Sequence, residues 1–335
     1  MRYNTFDFCS CRQIKQHGRC GFDDGALTLS WSNSGFEFEF YGDGFVVTFG
    51  GYSCQTPGYL RVFVDGMSQR FALVNGDERI CYDGLGEGKH NVKILRITEG
   101  TTLMKIESVT LCGSDPYLLD RPADKKLKLE FYGDSITCGY GVLGSDHSPG
   151  YVTFEQDSTR TYAYMTSELL DADGRYMCQS GKGIVANCLG NREDMKISDF
   201  WAWKNTAAEP WDFSKWTPDV CILNCGTNDA WGGICDDEFV ETGVRFLANV
   251  RKAYPQASIL WAYGMMDDTK LGAVERAVRI FNENDGNAYF FHIASMNYFD
   301  GEVGGGGHPN TVTSERASKL LAQKIKEILE SRNNG

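Results

Sequence analysis

The sequence has few prolines, few histidines and no long apolar run. No stretch of the 335 residues approaches the length of a transmembrane helix, and the first residues lack the apolar core of a signal peptide. We therefore expect a cytoplasmic protein that does not enter a membrane. Positive charge is also scarce, because 33 Lys and Arg residues stand against 45 Asp and Glu residues. The net charge of −12 makes nucleic acids and anionic membranes poor partners.

Motifs of several common enzyme and metal-site classes are also missing. No Gly-x-Ser-x-Gly sequence occurs, which argues against an ordinary α/β-hydrolase. The 12 cysteines are spread along the chain without a Cys-x-x-Cys pair or a histidine cluster, so no metal centre or disulfide scaffold is indicated. Cys221 and Cys225 would lie about 13 Å apart on one strand, too far for a disulfide. We expect free thiols, no metal and no cofactor.

The length predicts two domains, since one core seldom serves so long a chain. Residues 1–118 contain short alternating segments separated by Gly, Asp and Asn, a pattern typical of an all-β jelly roll or sandwich. The clearest segments are 36–41, 45–49, 59–64, 91–97 and 105–111. Residues 114–126 carry two prolines and no periodicity, which is typical of a connection between domains. We place the second domain at 119–335.

Strand and helix patterns alternate in the second domain, which predicts a parallel α/β sheet covered by helices on both faces. The predicted strands are 127–132, 175–178, 220–224, 258–263 and 288–293, and the predicted helices are 236–254, 272–284 and 314–329. Right-handed crossovers bring the carboxyl ends of such strands to one edge of the sheet, where α/β proteins place their ligand sites. Functional side chains are therefore expected just after the strands.

Ser135 comes directly after the first of these strands, in the sequence Gly133-Asp134-Ser135. A serine at this position is a candidate nucleophile, although an N-cap serine would produce the same local pattern. Three later segments reach the same edge and carry polar residues: Ser-Gly-Lys-Gly at 180–183, Gly-Thr-Asn-Asp at 226–229 and His-Pro-Asn at 308–310.

These four segments, in this order, resemble the SGNH (GDSL-type) hydrolase superfamily over residues 127–330. The resemblance implies a three-layer α/β/α fold with Ser135 as nucleophile and His308 as general base. It also implies an oxyanion hole formed by the amides of Ser135 and Gly181 and the side chain of Asn228. Gly183 is the alternative to Gly181 if the loop is offset.

Only five histidines compete for the role of base. His308 is preferred because it follows a glycine run that can bring it to the sheet edge. His292 lies in an apolar strand pattern, which favours a hydrogen-bonded core histidine. His147 falls in a loop that could border the pocket. His17 and His90 are expected in loops or turns of the β domain, with structural or surface roles.

The glycine run contains one departure from the superfamily. Its usual aspartate, three positions before the histidine, is replaced here by Gly305. Either Ser135 and His308 act as a dyad, with a main-chain carbonyl orienting the imidazole, or Asp300 or Glu302 supplies the acid. We favour the dyad.

A β-sandwich joined to an SGNH domain resembles carbohydrate esterase family 2, which implies removal of acetyl groups from xylan- or mannan-derived sugars. Five of the 7 tryptophans cluster in one region of the chain, at positions 201, 203, 211, 216 and 231. Of these, Trp231 lies three residues past Asn228 and is expected at the pocket rim, where an aromatic ring can stack on a sugar. Asp134, beside the nucleophile, is expected to contact substrate. The remaining tryptophans are expected mostly in interfaces and loops.

Two other functions fit parts of this pattern. A lipase or lysophospholipase of the same superfamily would need an apolar acyl groove, whereas the loops here combine tryptophan with charged and amide residues. A catalytically weak carbohydrate-binding protein would not need Ser135, Asn228 and His308 together. The sequence leaves the sugar, the acetyl position and the oligomeric state open.

Overall fold

Two structural units divide the chain in the computed structural model, which describes residues 1–100, 103–148 and 152–333. The first unit comprises Met1–Asp124 and Lys204–Glu209, and the second comprises Lys125–Trp203 and Pro210–Gly335. The sequence placed the boundary slightly earlier, after residue 118, and did not assign the 204–209 loop to the first unit. Trp31 in that unit holds the loop by donating its indole N–H to the Lys204 carbonyl at 2.9 Å.

The first unit is an antiparallel β structure, as predicted. Its strands are β1 (Arg2–Asp7), β2 (Lys15–His17), β3 (Gly21–Asp23), β4 (Ala26–Leu29), β5 (Gly35–Gly42), β6 (Gly44–Val64), β7 (Met67–Tyr82), β8 (Gly88–Arg96), β9 (Met104–Gly113) and β10 (Tyr117–Leu118). Strand β5 shows why the pattern forms a sheet, because Phe36, Phe38 and Phe40 alternate with half-buried residues and are all fully buried. The predicted strands 45–49 and 59–64 belong to one long strand, β6, whose pairing with β7 shifts register between them.

The second unit contains a five-stranded parallel sheet in the order β12-β11-β13-β14-β15. Its strands are β11 (Leu127–Gly133), β12 (Ala172–Cys178), β13 (Val220–Asn224), β14 (Ser258–Gly264) and β15 (Ala288–Ile293). Every residue of β13 and β14 is buried, as expected for central strands covered on both faces. The five predicted strands are confirmed, with differences only at their ends.

The helices of the second unit complete three layers. They are α1 (Ser135–Cys138), α2 (Tyr162–Leu169), α3 (Ile197–Phe200), α4 (Thr227–Trp231), α5 (Asp236–Ala253), α6 (Leu271–Asn282) and α7 (Thr311–Asn333). Helices α5 and α6 pack together, and so do α2 and α7. Since the chain moves in opposite directions along the sheet after β11 and after β13, right-handed crossovers place these two pairs on opposite faces. The three predicted long helices are confirmed as α5, α6 and α7.

The described cysteines, from Cys9 to Cys235, are all free thiols. Within residues 1–100, 103–148 and 152–333, each helix is too short or too polar to cross a bilayer. The same described segments contain no cluster of three or more His, Cys, Asp and Glu side chains suited to a metal ion. The cytoplasmic location stays a prediction.

Candidate active site

The nucleophile turn begins where β11 ends at Gly133. Asp134 is the N-cap of α1, because its Oδ1 accepts the Ile136 N–H at 3.0 Å. Gly139 closes the helix with a left-handed φ of 81° and donates its N–H to the Ser135 carbonyl. The alternative N-cap role of Ser135 is therefore taken by Asp134. Ser135 itself is the first helical residue, at the carboxyl edge of the sheet.

His308 meets Ser135 across this edge. Its Nε2 lies 2.8 Å from Ser135 Oγ, and its Nδ1 lies 3.1 Å from the Gly306 carbonyl. A carbonyl oxygen only accepts, so Nδ1 carries the proton and the lone pair of Nε2 faces the serine hydroxyl. Burial lowers the pKa of His308, although its main-chain contacts with Gly306 and Gly305 oppose the shift. The neutral form is the one that can accept a proton.

The two candidate acids on the loop before His308 point elsewhere. Glu302 Oε2 binds Arg316 Nη2 at 3.0 Å and the Asn297 N–H at 2.7 Å. Asp300 accepts a hydrogen bond from the Asn297 amide. Among the described residues, no carboxylate bonds to His308. The main-chain carbonyl contact favoured by the sequence is present.

An aspartate at position 305 would require the neighbouring side chains to rearrange. A Cβ at Gly305 would lie 2.5 Å from Glu155 Oε2 and 3.2 Å from the Cα of Gly141. The Glu155 carboxylate would have to shift to make room for a side chain at position 305.

Two backbone donors at the serine remain available. Within the described segments, neither the Ser135 N–H nor the Gly181 N–H has a hydrogen-bond acceptor. Gly181 adopts a left-handed φ of 76°, which favours glycine at this position. Gly183, the alternative, donates to Asn187 Oδ1 at 3.3 Å and does not line the cavity. Gly181 is therefore the better candidate.

Asn228 lies on helix α4 and is nearly fully buried. Its Nδ2 donates to Asp134 Oδ2 at 3.2 Å and to the Lys182 carbonyl at 3.0 Å. The amide thus connects the nucleophile turn to the loop that carries Gly181. An oxyanion at the serine would share or replace one of these two acceptors. Asn228 consequently ties these two loops together, and its oxyanion role stays a prediction.

Asp134 does not occupy the place that the sequence suggested. Its side chain is fully buried and is not part of the cavity wall, so the predicted contact with substrate is corrected to a positioning role. Burial raises the pKa of Asp134 to about 7, against the effect of the Ile136 N–H and with a further rise from nearby Asp229. The carboxylate fixes α1 and orients the Asn228 amide.

Asp229 is a second buried acid, for which no role was predicted. It accepts the backbone N–H groups of Ile184, Val185 and Ala186 at 3.0, 2.8 and 3.1 Å. Burial raises the pKa of Asp229 despite these three donors. Because Asp229 follows Asn228 directly, one short helix orients both the amide and the loop beyond Gly181. In the sequence, only its place directly after Asn228 in the Gly-Thr-Asn-Asp segment indicated a role at the site.

A cavity of about 280 Å³ opens beside the serine. Its wall consists of Ser135, Tyr140, Ser180, Gly181, Cys188, Thr227, Asn228, Trp231, Met266 and His308. Trp231 is 57% exposed and lies on this wall, as the sequence predicted. Tyr140, Cys188 and Met266 were not anticipated.

The remaining tryptophans and histidines do not line this cavity. Trp201 is buried and packs against Tyr132 and Phe246. The prediction of a core His292 was wrong, since this residue is exposed on the edge strand β15 and bonds to Asp268 at 3.0 Å. His147 is exposed in its loop, while His17 and His90 form hydrogen bonds with Glu37 and Asp65. His17 lies on β2 and His90 lies on β8, rather than in the predicted loops or turns.

Comparison with known proteins extends over both units. The "Carbohydrate esterase 2 N-terminal" model matches residues 16–116, and the "GDSL-like Lipase/Acylhydrolase family" model matches residues 131–332. Cellulase/esterase CelE of Acetivibrio thermocellus is 29% identical over 332 residues, which cover 94% of this chain but only 39% of CelE. An acetylxylan esterase/glucomannan deacetylase of Cellvibrio japonicus is 26% identical over 253 residues, covering 72% of this chain and 68% of that protein.

Among solved structures, a family two carbohydrate esterase from Clostridium thermocellum in complex with cellohexaose is similar, with a TM-score of 0.88 and 28% identity. The match covers 95% of this chain and 99% of that one. It includes both the antiparallel and the parallel-sheet units. With a model match across residues 131–332 and the Ser135–His308 pair in place, the chain belongs to the GDSL-like lipase/acylhydrolase family, preceded by a region of the carbohydrate esterase 2 N-terminal type.

Proposed function

We propose that this chain is a carbohydrate O-acetyl esterase that removes acetyl groups from hemicellulose-derived sugars, with Ser135 and His308 acting as a catalytic dyad. The observation that carries the proposal is the 2.8 Å contact between Ser135 Oγ and His308 Nε2 on the wall of a cavity. A serine and a neutral imidazole in this geometry form an activated nucleophile.

The reaction proceeds in two acyl-transfer steps. His308 Nε2 takes the Ser135 proton while Oγ attacks the acetyl carbonyl, and the imidazolium then gives this proton to the departing sugar oxygen. The sugar leaves with a free hydroxyl, and the acetyl group remains on Ser135. A water molecule gives its proton to His308 and attacks the acetyl carbonyl, after which the proton returns to Ser135 Oγ and acetate leaves.

Negative charge develops on the acetyl oxygen in both steps. The unpaired N–H groups of Ser135 and Gly181 supply two donors for it, and the Asn228 amide supplies the third. Donors that are already oriented lower the barrier because they need no reorganisation during the reaction. Asp134 and Asp229 provide that orientation, the first through Asn228 and the second through the 184–186 backbone.

Several features support a short acyl group on a sugar. The cavity of about 280 Å³ is slightly smaller than a usual site for a drug-sized ligand, and polar Ser180 and Thr227 share its wall. Trp231 offers an exposed ring on which a sugar face can stack. The names of the similar proteins, acetylxylan esterase/glucomannan deacetylase and family two carbohydrate esterase, agree with this chemistry.

The test is to incubate the purified chain with acetylated xylo- and manno-oligosaccharides and follow the loss of acetyl groups by mass spectrometry, with Ser135→Ala as the matched control. We expect stepwise deacetylation by the wild type and none by the variant. A parallel series of p-nitrophenyl esters should show a preference for acetate over octanoate. Preference for octanoate, or intact acetylated sugars after treatment, would overturn the proposal in favour of a lipase-like enzyme or a binding protein.

A further inference from the structure

Tyr140 lies against the imidazole of His308 on the cavity wall. The two ring centroids are 4.3 Å apart, and the ring planes are inclined by 36°. The same aromatic ring covers Gly306, because a Cβ added to Gly306 would come within 2.9 Å of Tyr140 Cε1. One side chain therefore contacts both the base and the peptide unit whose carbonyl accepts the Nδ1 proton.

The backbone around Tyr140 joins the two parts of the dyad. The Tyr140 N–H donates to the Ser135 carbonyl at 3.0 Å, and the Gly305 N–H donates to the Gly141 carbonyl at 2.8 Å. The first bond fixes Tyr140 to the nucleophile helix, and the second fixes the next residue to the loop that carries His308. The position of the tyrosine ring is thus set relative to both reacting side chains.

We propose that Tyr140 is a positioning residue that takes over two tasks of the acid that the dyad lacks. Its ring restricts rotation of the imidazole, so that Nε2 stays on Ser135 Oγ. Its π face also stabilises the imidazolium that forms each time His308 holds a proton, since a cation within about 6 Å of an aromatic centroid is attracted to it. The inference rests on the proposed esterase function and deepens it.

The surroundings of His308 make this proposal measurable. The Ser135 hydroxyl faces Nε2 and the Gly306 carbonyl faces Nδ1. Tyr140 and Cys188 are the other titratable side chains on the cavity wall, and Asp134 is buried behind Asn228. In the part of the chain that the structure describes, no Asp, Glu, Lys or Arg bonds to the imidazole. A changed ring at position 140 should therefore appear directly in the titration of His308.

The first experiment compares Tyr140→Phe with Tyr140→Leu, using pH profiles of kcat/KM on p-nitrophenyl acetate. NMR titration of the His308 imidazole in each variant separates its acid limb from the ionisation of Asp134, whose pKa burial raises to about 7. Phenylalanine keeps the π face, so we expect activity within about threefold of wild type. The acid limb of the profile, where kcat/KM falls as the pH drops, should not move. Leucine removes it, so we expect kcat to fall about tenfold and the acid limb to move down by about half a pH unit or more. An acid limb that stays in place or moves up in Tyr140→Leu, or equal losses in both variants, would overturn the proposal.

A second experiment avoids any change of shape. Phenylalanine with one, two or three fluorine atoms, incorporated at position 140 by nonsense suppression, withdraws electron density from the ring without altering its packing. We expect the acid limb to move down in steps with each fluorine. A flat response would overturn the inference even if Tyr140→Leu failed to fold.

The esterase function and the role of Tyr140 are contradicted by different results. If the wild type releases no acetate, the proposed function fails. If the wild type is active, Ser135→Ala is inactive and the Tyr140 variants keep both kcat and the acid limb, only the inference about Tyr140 fails.

Discussion

The two sides of the cavity are held in different ways. On the nucleophile side, two buried carboxylates organise the turns: Asp134 binds the Asn228 amide, and Asp229 binds three consecutive backbone N–H groups. On the base side, His308 contacts the Gly306 carbonyl and the Tyr140 ring, and no carboxylate of the described residues reaches it.

This difference follows what each side must do. A carboxylate accepts several charge-assisted hydrogen bonds at once, so it suits a site where N–H groups must be held in fixed directions. A carboxylate beside His308 would instead favour the imidazolium and raise its pKa. Burial without a charged partner keeps the imidazole neutral and ready to accept a proton. Buried acids therefore fix the geometry of the nucleophile side, and uncharged groups contact the base that accepts the serine proton.

Removal of either member of the dyad should have the largest effect. We expect Ser135→Ala and His308→Ala each to lower kcat by about 10⁴-fold or more, because each removes one member of the hydrogen-bonded nucleophile and base pair. Acetate release measures the loss, and an unchanged thermal unfolding midpoint shows that the fold is intact. Wild-type turnover by a folded Ser135→Ala variant would contradict the central claim.

Substitution of Asn228 distinguishes a role as oxyanion donor from a role that only ties two loops together. We expect Asn228→Ala to lower kcat by about 10²-fold or more with little change in KM, since an oxyanion donor acts mainly in the transition state. Asn224→Ala is a matched control, because it removes a buried amide that donates to the Ala262 carbonyl at 2.9 Å, off the cavity wall. The control should keep kcat within a few-fold. A change confined to KM in Asn228→Ala would assign the amide to substrate binding.

Substitution of Asp229 tests whether a buried acid fixes the positions of the backbone donors near the serine. The variant Asp229→Asn keeps the size of the side chain but offers a single acceptor oxygen to three N–H groups. We therefore expect a loss of about 1–3 kcal/mol in the free energy of unfolding. The 184–186 backbone then shifts, and we expect kcat to fall by roughly tenfold or more as the Gly181 donor moves. Chemical denaturation and steady-state kinetics measure the two effects.

Asp285→Asn provides the matched control for that experiment. Asp285 binds the Arg251 guanidinium at 2.6 and 2.9 Å and does not line the cavity. Its amide variant should lose stability without losing kcat. Equal kinetic losses in the two variants would mean that Asp229 acts only through general stability.

Much of this architecture follows from patterns within single segments. The five parallel strands, the main parts of β5, β6, β8 and β9 and the three long helices were predicted from their apolar patterns. Strands β1 to β4, β7 and β10 were not predicted. The short helices α1 and α4 were not predicted either, since four or five residues carry no period and form only with the help of caps and tertiary contacts. These two helices carry Ser135 and Asn228.

The site was predictable as an ordered set of motifs but not as a network of contacts. Ser135, Gly181, Asn228 and His308 meet at the cavity because parallel strands end at one edge. The contacts of Asp134 with Asn228 and of Tyr140 with His308 join distant parts of the chain, so no local sequence pattern predicts them. The exposure of His292 was missed for a related reason, since the sequence does not reveal which strand forms the sheet edge.

The pH dependence should reflect the neutral surroundings of the base. Burial lowers the pKa of His308 below its ordinary value of 6.5, so the active neutral form should persist to a lower pH than for a free histidine. We expect kcat/KM to fall only as the pH drops through that lowered pKa. Asp134 titrates near pH 7, so NMR of the His308 imidazole is needed to assign the limb. An acid limb above pH 6.5 that follows the imidazole signal would contradict the neutral environment.

Substitution of the two acids near His308 should have the smallest kinetic effect and gives the sharpest test of the base side. Because Asp300 and Glu302 bind Asn297 and Arg316 rather than the imidazole, we expect Asp300→Asn and Glu302→Gln to leave kcat within a few-fold of wild type. If either acid oriented the imidazole, its amide would favour the wrong tautomer and cost about 10⁴-fold in kcat.

Glu302→Gln should still be visible in stability. The Asn297 N–H and the Arg316 guanidinium hold the pKa of Glu302 below its usual range. Ionised Glu302 therefore stabilises the loop fully at pH values above the pKa of a glutamate in the unfolded chain. This contribution is lost as the pH falls through the lowered pKa, and the variant should approach the wild type in acid. A difference in unfolding midpoint at pH 7 that disappears at low pH, with kcat unchanged, would place Glu302 in the support of the loop and leave the dyad without an acid.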